Sequence, residues 1–269
     1  MRLLRWLWVP PAIAATLGRW RMIYLYDGFY KYCKRWPGSA RRLIGAIARS
    51  YLKTDALMEM LGSPTYDPWD QRVCACPDGD FFNSLACGEA SIVKGSASGF
   101  GGPRSLSLAG GGEVGDLDVV VTATGMNLQE NFPMSRIAVT VDGASYVAKN
   151  HFAYKSLMLS GVPNLAFSMG YTNIPWTLRS DLIGSYVAKL VNHMHATGAK
   201  KVVPTPGSTK PFRVRVGASP PLSSSYFLRA IECMPKEGHA HPWIATQDFF
   251  ADKRNLNRGP IDDEVIFSK

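Results

Sequence analysis

Three groups of residues in this sequence have types and spacings that could do chemistry. Gly110-Gly111-Gly112-Glu113-Val114-Gly115 satisfies G-x-G-x-x-G. In a dinucleotide site those glycines lie between a strand and a helix, and the helix N-terminus holds the pyrophosphate. Here they directly precede the β-branched run Asp118–Thr122 and no helix start follows them, so they are expected to form a loose hairpin turn. The chain has no G-x-x-x-x-G-K-S/T sequence either. Cys74-x-Cys76 with His193-x-His195 or His239-x-His241 offers thiolate and imidazole ligands. No pair among them has the spacing of a structural zinc site, and no metal is expected. The third group is Asp118 to Gly125, D-V-V-V-T-A-T-G. Val119 to Thr122 predict a strand buried on both faces, as in an α/β sheet. Ala123, Thr124 and Gly125 carry little bulk, so backbone beyond the carboxyl end of that strand could approach a ligand closely. The same eight residues also suit a plain core strand closed by a tight turn.

The elements that would position these groups follow from periodicity and breakers. The N-terminus, M-R-L-L-R-W-L-W-V-P-P-A-I-A-A-T-L-G, imitates a signal peptide or anchor. Arg5, Pro10 and Pro11 interrupt it well short of the roughly 20 residues a spanning helix needs, which favours a buried or interfacial amphipathic helix. Arg19 to Leu52 reads as two helices broken at Trp36-Pro37-Gly38, the second with Leu43, Ile44, Ile47 and Tyr51 on one side. Leu61 to Asp80 is a turn-rich connector, and residues 92 to 122 read as a β-meander. Ile137 to Val141 alternates as a strand closed by an Asp142-Gly143 turn, and Asn164 to Met169 reads as another buried strand. A long helix follows, with Thr177 as its N-cap, Leu178, Leu182, Tyr186, Leu190 and Met194 along one face, and Gly198 as its stop. Pro204 to Pro221 is expected to be an exposed loop. Short helices near Tyr226–Cys233 and Gln247–Asn257 end the pattern.

The chain has 269 residues, 46% of them hydrophobic, enough for one large domain or two small ones. Its net charge is +9, with Arg2, Arg5, Arg19, Arg21, Lys31, Lys34, Arg35, Arg41, Arg42, Arg49 and Lys53 concentrated near the start. Such a surface suits a solvated helix face, an anionic lipid surface or a phosphorylated cofactor. No nucleic-acid motif accompanies it, so no nucleic-acid partner is expected. The five cysteines, Cys33, Cys74, Cys76, Cys87 and Cys233, are odd in number and include no C-x-x-C. A reducing, cytoplasmic setting is the simpler expectation.

Longer stretches carry a resemblance. Asp118–Gln129, Ala153–Leu182 (A-Y-K-S-L-M-L-S-G-V-P-N-L-A-F-S-M-G-Y-T-N-I-P-W-T-L-R-S-D-L), Tyr66–Phe82 (Y-D-P-W-D-Q-R-V-C-A-C-P-D-G-D-F-F), Tyr226–Gly238 and Arg258–Glu264 stand in the family's order along the chain. Together they resemble the Baeyer–Villiger and flavin-containing monooxygenases, in particular the branch of the ethionamide-activating enzyme. The resemblance runs from about Arg19 to the end.

What this resemblance implies is an oxidoreductase, a flavoprotein monooxygenase using FAD, NADPH and O₂. In such enzymes a C4a-peroxyflavin inserts oxygen into a ketone or transfers it to a thioether, thioamide or amine, while the protein positions and tunes the flavin. The position matching the family's catalytic arginine is Arg72, whose planar, permanently cationic fork suits an anion. An ion pair with Asp70 or Asp80 is the plainer role for that residue. Thr124, Gly125, Met126 and Asn127 match the turn near FAD. Thr172, Asn173, Trp176 and Thr177 match the stretch opening the long helix, whose positive end would face the flavin. Tyr171 and Trp176 also suit ordinary core aromatics, and Tyr154 and Lys155 are assigned no role.

The implied fold is α/β, the C-terminal portion of a flavoprotein with two dinucleotide-binding domains, lacking both glycine-rich nucleotide loops. Residues 1–90 would hold helices and a remnant of the NADPH domain, 91–198 the meander, strand and helix closing the FAD domain, and 199–269 a C-terminal extension. A separate N-terminal half would supply the missing loops. Without it, apolar surface should be exposed and activity is doubtful. A non-catalytic remnant, or a protein held at a membrane surface by its basic N-terminal helices, is the alternative.

Overall fold

The computed structural model describes residues 10–61, 64–76, 78–131, 137–207 and 223–269. The first nine residues of the anchor-like N-terminus and most of the expected Pro204–Pro221 loop lie outside them. Helices α1 (Pro11–Arg35) and α2 (Pro37–Leu52) are separated at Trp36, where the sequence predicts the break. Pro37 falls in the first turn of α2, where a missing N–H costs nothing, and Lys53 closes the helix in the left-handed region at φ 62. Two shorter helices, α3 (Asp55–Leu61) and α4 (Asp80–Ala86), bracket the turn-rich connector.

Strands β1 (Ala97–Gly102), β2 (Ser105–Leu108) and β3 (Glu113–Val114) form the expected antiparallel meander, in that order. The glycine cluster joins β2 to β3: the Leu108 N–H bonds to the Gly112 carbonyl, and Gly110, Gly111 and Gly112 have φ of 94, 97 and 104. G-x-G-x-x-G is therefore a hairpin turn here, built on conformations open to glycine. After the four-residue α5 (Leu128–Asn131) come β4 (Val139–Val141) and β5 (Ala144–Tyr146). The Asp142-Gly143 turn between them has φ of 51 and 81, the pair of positive values that a type I′ hairpin requires.

The short β6 (Ala153–Tyr154) and β7 (Met158–Leu159) precede the long helix α6 (Thr177–Thr197), and Gly198 ends it at φ 71. Helix α6 opens one residue earlier than expected: Thr177 is its first residue rather than its cap, Trp176 is the cap, and the cap side chain makes no hydrogen bond to the helix. Then follow β8 (Lys201–Pro204), α7 (Ser225–Ala230), α8 (Phe249–Arg258) and β9 (Val265–Ser268). Strand β9 pairs antiparallel with β8, Lys201 opposite Ser268 and Pro204 opposite Val265. The sequence reading missed that closing strand.

The chain forms two compact units. The first runs to Arg35, adds Trp69–Arg72 and resumes at Asn127–Lys269; the second comprises Trp36–Pro68 and Val73–Met126. In the first, Leu178, Leu182, Ile183, Tyr186 and Leu190 of α6 are buried with Ile23, Tyr154, Leu157, Met158, Val202, Trp243, Phe249 and Leu256. Each such side chain removed from water contributes roughly 1.5–3 kcal/mol before entropy is charged against it. In the second, α2 packs on α4 with Tyr51 stacked on Phe82, ring centroids 5.6 Å apart.

Three expectations are corrected. Val119 to Thr122 belong to no strand, and Val119 and Val121 are 77% and 83% exposed. The β-branched run is present, but no strand among the described residues lies beside it to form a ladder. Asn164 to Met169 is not a strand buried on both faces: it runs outside any sheet, with alternate residues exposed. The inner face of α2 is also shifted, since Ala40, Ala48 and Leu52 are buried while Leu43 and Ile47 are exposed. Alanines on this helix mark the close approach and the larger side chains flank it.

Candidate functional site

Polar chemistry in the first unit concentrates around the start of α6. The Thr172 N–H and hydroxyl both donate to Oε1 of Gln247, at 2.9 and 3.0 Å, and Asn173 Nδ2 donates to the Gln247 carbonyl at 2.8 Å. Gln247 thereby fixes the segment that leads into the helix. Oδ1 of Asn173 is buried without a hydrogen-bond partner, leaving an acceptor available beside the helix start. Trp176 and Thr177 are exposed at that end. Gly170 lies against the Trp176 indole: a Cβ there would stand 2.2 Å from ring carbons and 2.8 Å from the Trp176 Cα. Because a backbone atom is among those contacts, repacking the ring cannot relieve them. Gly170→Ala is expected to cost about 1–3 kcal/mol, read as a lowered urea midpoint; an unchanged midpoint would refute this contact.

Behind this surface lies a buried ion pair. Arg179, in the first turn of α6, points its Nε at Oδ2 of Asp252 on α8, 3.5 Å away, and both side chains are buried. The same carboxylate oxygen accepts from the Tyr171 hydroxyl at 2.8 Å, and Oδ1 accepts from the Thr246 hydroxyl. The Tyr171 ring lies 5.3 Å from the guanidinium carbon. Burial, with the Asp252 charge, pushes the Tyr171 phenol up.

A second buried group is Lys155, 3% exposed. Its Nζ donates to the Tyr186 hydroxyl and to the Pro260 carbonyl, each at 3.2 Å, and lies 5.1 and 4.8 Å from the Tyr154 and Tyr186 ring centres. Burial lowers this amine to about 8, partly offset by Asp263. The Tyr154 hydroxyl meets that of Tyr186 at 3.2 Å and donates to the Asp263 carbonyl at 2.7 Å. His241 pairs with Asp263 through Nδ1 at 3.2 Å, and burial outweighs that carboxylate to hold the imidazole below its usual range.

Arg72 belongs to the first unit and is exposed. The short Trp69–Arg72 segment is pinned to α1, with Trp69 edge-on to Tyr30 at 5.5 Å and Asp70 paired to Lys34 at 2.9 Å. Asp70, one of the carboxylates weighed for Arg72, is thus engaged by a lysine. Thr124, Gly125 and Met126 fall in the second unit and Asn127 in the first, all four exposed. Gly125 has φ 101, and a Cβ there would meet nothing within 4 Å, so its backbone is open to approach. Thr172 and Asn173 are drawn together through Gln247, with Trp176 and Thr177 following them. Sequence reasoning missed Arg179, Gln247, Asp252 and Asp263 and left Tyr154 and Lys155 without a role. The Asp252 and Asp263 contacts span 81 and 109 residues, distances at which no local spacing gives a signal.

Comparison with known proteins identifies the class. No family model matches the chain. It is 34% identical over 260 residues to the FAD-containing monooxygenase EthA of Mycobacterium tuberculosis, covering 96% of the chain and 51% of the relative. It is 32% identical over 262 residues to EthA of Mycolicibacterium smegmatis, with 96% and 51% covered. It is 34% identical over 258 residues to the "Probable FAD-binding monooxygenase AlmA" of Acinetobacter baylyi, with 96% and 50% covered. Over nearly its whole length the chain is similar to the C-terminal half of FAD-containing monooxygenases such as EthA, and it spans about half the length of the curated relatives it matches.

Proposed function

We propose that this chain provides the C-terminal half of an FAD- and NADPH-dependent monooxygenase, completed by glycine-rich nucleotide loops from the same or a separate polypeptide. The observation that carries this reading is the similarity to FAD-containing monooxygenases over 96% of the chain. Bound FAD, reduced by NADPH, would supply the activation of O₂ for oxygenating a ketone, thioether, thioamide or amine.

The chain's own residues suit part of that task. Asn173 offers a buried acceptor without a partner beside the start of α6, and Trp176 and Thr177 present an exposed edge at the helix's positive end. Thr172, held by Gln247, gives that edge a fixed backbone. Thr124, Gly125, Met126 and Asn127 form an open turn that flavin could approach. Arg72, exposed on a pinned segment, would hold a permanent positive charge toward negative charge developing during oxygen transfer. Residues 1–90 would then serve the NADPH domain, 91–198 the FAD domain and 199–269 an extension around them. The exposed Val119 and Val121 would lie under the complementary half.

The test is reconstitution. The purified chain should show little flavin absorbance alone and should acquire FAD when co-expressed with a polypeptide matching the first half of EthA. NADPH oxidation should then yield oxygenated product from a thioether or cyclic ketone. Failure to acquire flavin in that assembly would sink the reading. In the active assembly, Arg72→Ala is expected to retain flavin and lose about a hundredfold in oxygenated product per turnover. Unchanged product formation would remove Arg72 from its role.

A further inference from the structure

Gln247 sets the hydrogen-bonding sense of the segment that opens α6. Its Oε1 accepts the Thr172 N–H at 2.9 Å and the Thr172 hydroxyl at 3.0 Å. A backbone N–H can only donate, so the Gln247 amide cannot be turned end for end. The hydroxyl has one proton, and Gln247 holds it; toward any other group Thr172 Oγ1 can only accept. Asn173 is set the same way. Its Nδ2 donates to the Gln247 carbonyl at 2.8 Å, which leaves Oδ1, an acceptor, without a partner although the residue is 3% exposed. Gln247 is braced by its neighbours on both sides. The Thr246 hydroxyl donates to Oδ1 of Asp252, and Asp248 caps α8 by accepting the Phe250 and Ala251 N–H groups. Tyr171 reaches the same Asp252 from the facing segment at 2.8 Å.

We propose that Gln247 is a positioning residue that makes this edge acceptor-only, and that the group so selected is the imide N–H of the flavin, received by Thr172 Oγ1. The inference deepens the flavin reading above and rests on it. An oxidised isoalloxazine ring has a single N–H, at N3, between two carbonyls; its other in-plane heteroatoms accept. Against side chains that can only accept, N3–H is the one ring group that bonds rather than repels. The segment thereby chooses which way round the ring lies. The positive end of α6 complements the carbonyls that flank N3. Thr172 is half-buried and can be reached directly, whereas Asn173 Oδ1 is buried and keeps a second acceptor in the same segment.

The experiment uses the assembly with a first half matching EthA, stripped of flavin and titrated with FAD and with FAD methylated at N3, which keeps the ring and removes the proton. Wild type is expected to bind FAD about tenfold or more tighter than the methylated analogue. Thr172→Val keeps the shape and loses the acceptor; it should lower FAD affinity by about tenfold and bind the two flavins alike. Gln247→Glu presents carboxylate oxygens to both Thr172 donors and should keep the preference. Gln247→Ala frees the hydroxyl proton and should reduce the preference by about fivefold. Because the readout is a ratio, a variant that is merely destabilised weakens both flavins together. A ratio unchanged by Thr172→Val and Gln247→Ala overturns the proposal, as does equal binding of the two flavins by wild type. An assembly that takes up neither flavin sinks the flavin reading and this inference with it; one that binds FAD without discriminating sinks this inference alone.

Discussion

Asp252→Ala is expected to destabilise the first unit by about 3–5 kcal/mol, the cost of stranding one partner of a buried ion pair. Total stability is typically about 5–15 kcal/mol, so this single change would consume a large share of it. The carboxylate serves three groups at once: the Arg179 guanidinium, the Tyr171 hydroxyl and the Thr246 hydroxyl. Arg179 is 2% exposed and cannot turn to water. Its remaining neighbours, the Tyr171 ring and the Lys155 carbonyl at 3.4 Å, would not replace a full charge. Asp252→Asn keeps the shape and one acceptor, so it should fall between wild type and alanine. The double change Arg179→Met with Asp252→Leu removes both charges and should recover much of the loss. Urea unfolding of the three variants checks this, and an alanine variant within about 1 kcal/mol of wild type would show that the pair is not isolated from solvent.

The second large effect belongs to Lys155 and depends on pH. Its folded-state value is about 8 against an ordinary 10.5. A lysine whose folded pKa is lowered favours the folded state only once it is neutral. Stability should therefore rise as pH climbs from about 8 toward 10.5, and below 8 the buried charge should cost on the order of 3 kcal/mol. The buried phenols act in the opposite sense. Tyr154, Tyr171 and Tyr186 are held protonated by burial, so above about pH 10 the unfolded chain ionises first and stability falls. The lysine is separated from them by comparison with Lys155→Met. That variant should be more stable at pH 7, less the two hydrogen bonds to Tyr186 and Pro260, and its stability should be flat between pH 7 and 9.5 where the wild type rises. Parallel curves for the two proteins would refute the assignment.

Much of the scaffold was readable in sequence because its signals are local. The Trp36-Pro37 break, the Asp142-Gly143 hairpin, the glycine turn before Glu113 and the long helix closed by Gly198 each rest on a few neighbouring residues. The similarity to flavin-dependent monooxygenases was readable because 30 consecutive residues from Ala153 to Leu182 resemble that family. The failures came where tertiary partners decide the outcome. Val119–Thr122 has every propensity of a strand, but a strand exists only beside another. Leu43 and Ile47 looked like the seam of α2 because they are large, whereas the buried seam is Ala40, Ala48 and Leu52, its two alanines permitting close contact. Asp252 and Gln247 gave no signal because their partners, Tyr171, Thr172 and Asn173, lie more than seventy residues away.

The interleaving of the two units also bears on how the polypeptide matures. Helix α1 seats its seam against residues such as Tyr154, Leu182 and Phe249, yet residues 36 to 126, almost all of them in the second unit, are synthesised in between. During translation that intervening stretch can assemble from contacts within itself, while α1 must wait, apolar side chains uncovered, for helices made much later. Such late closure slows folding and lengthens the time over which a nascent chain needs a chaperone. A ribosome stalled before α6 would therefore hold a finished inner module flanked by an orphaned helix.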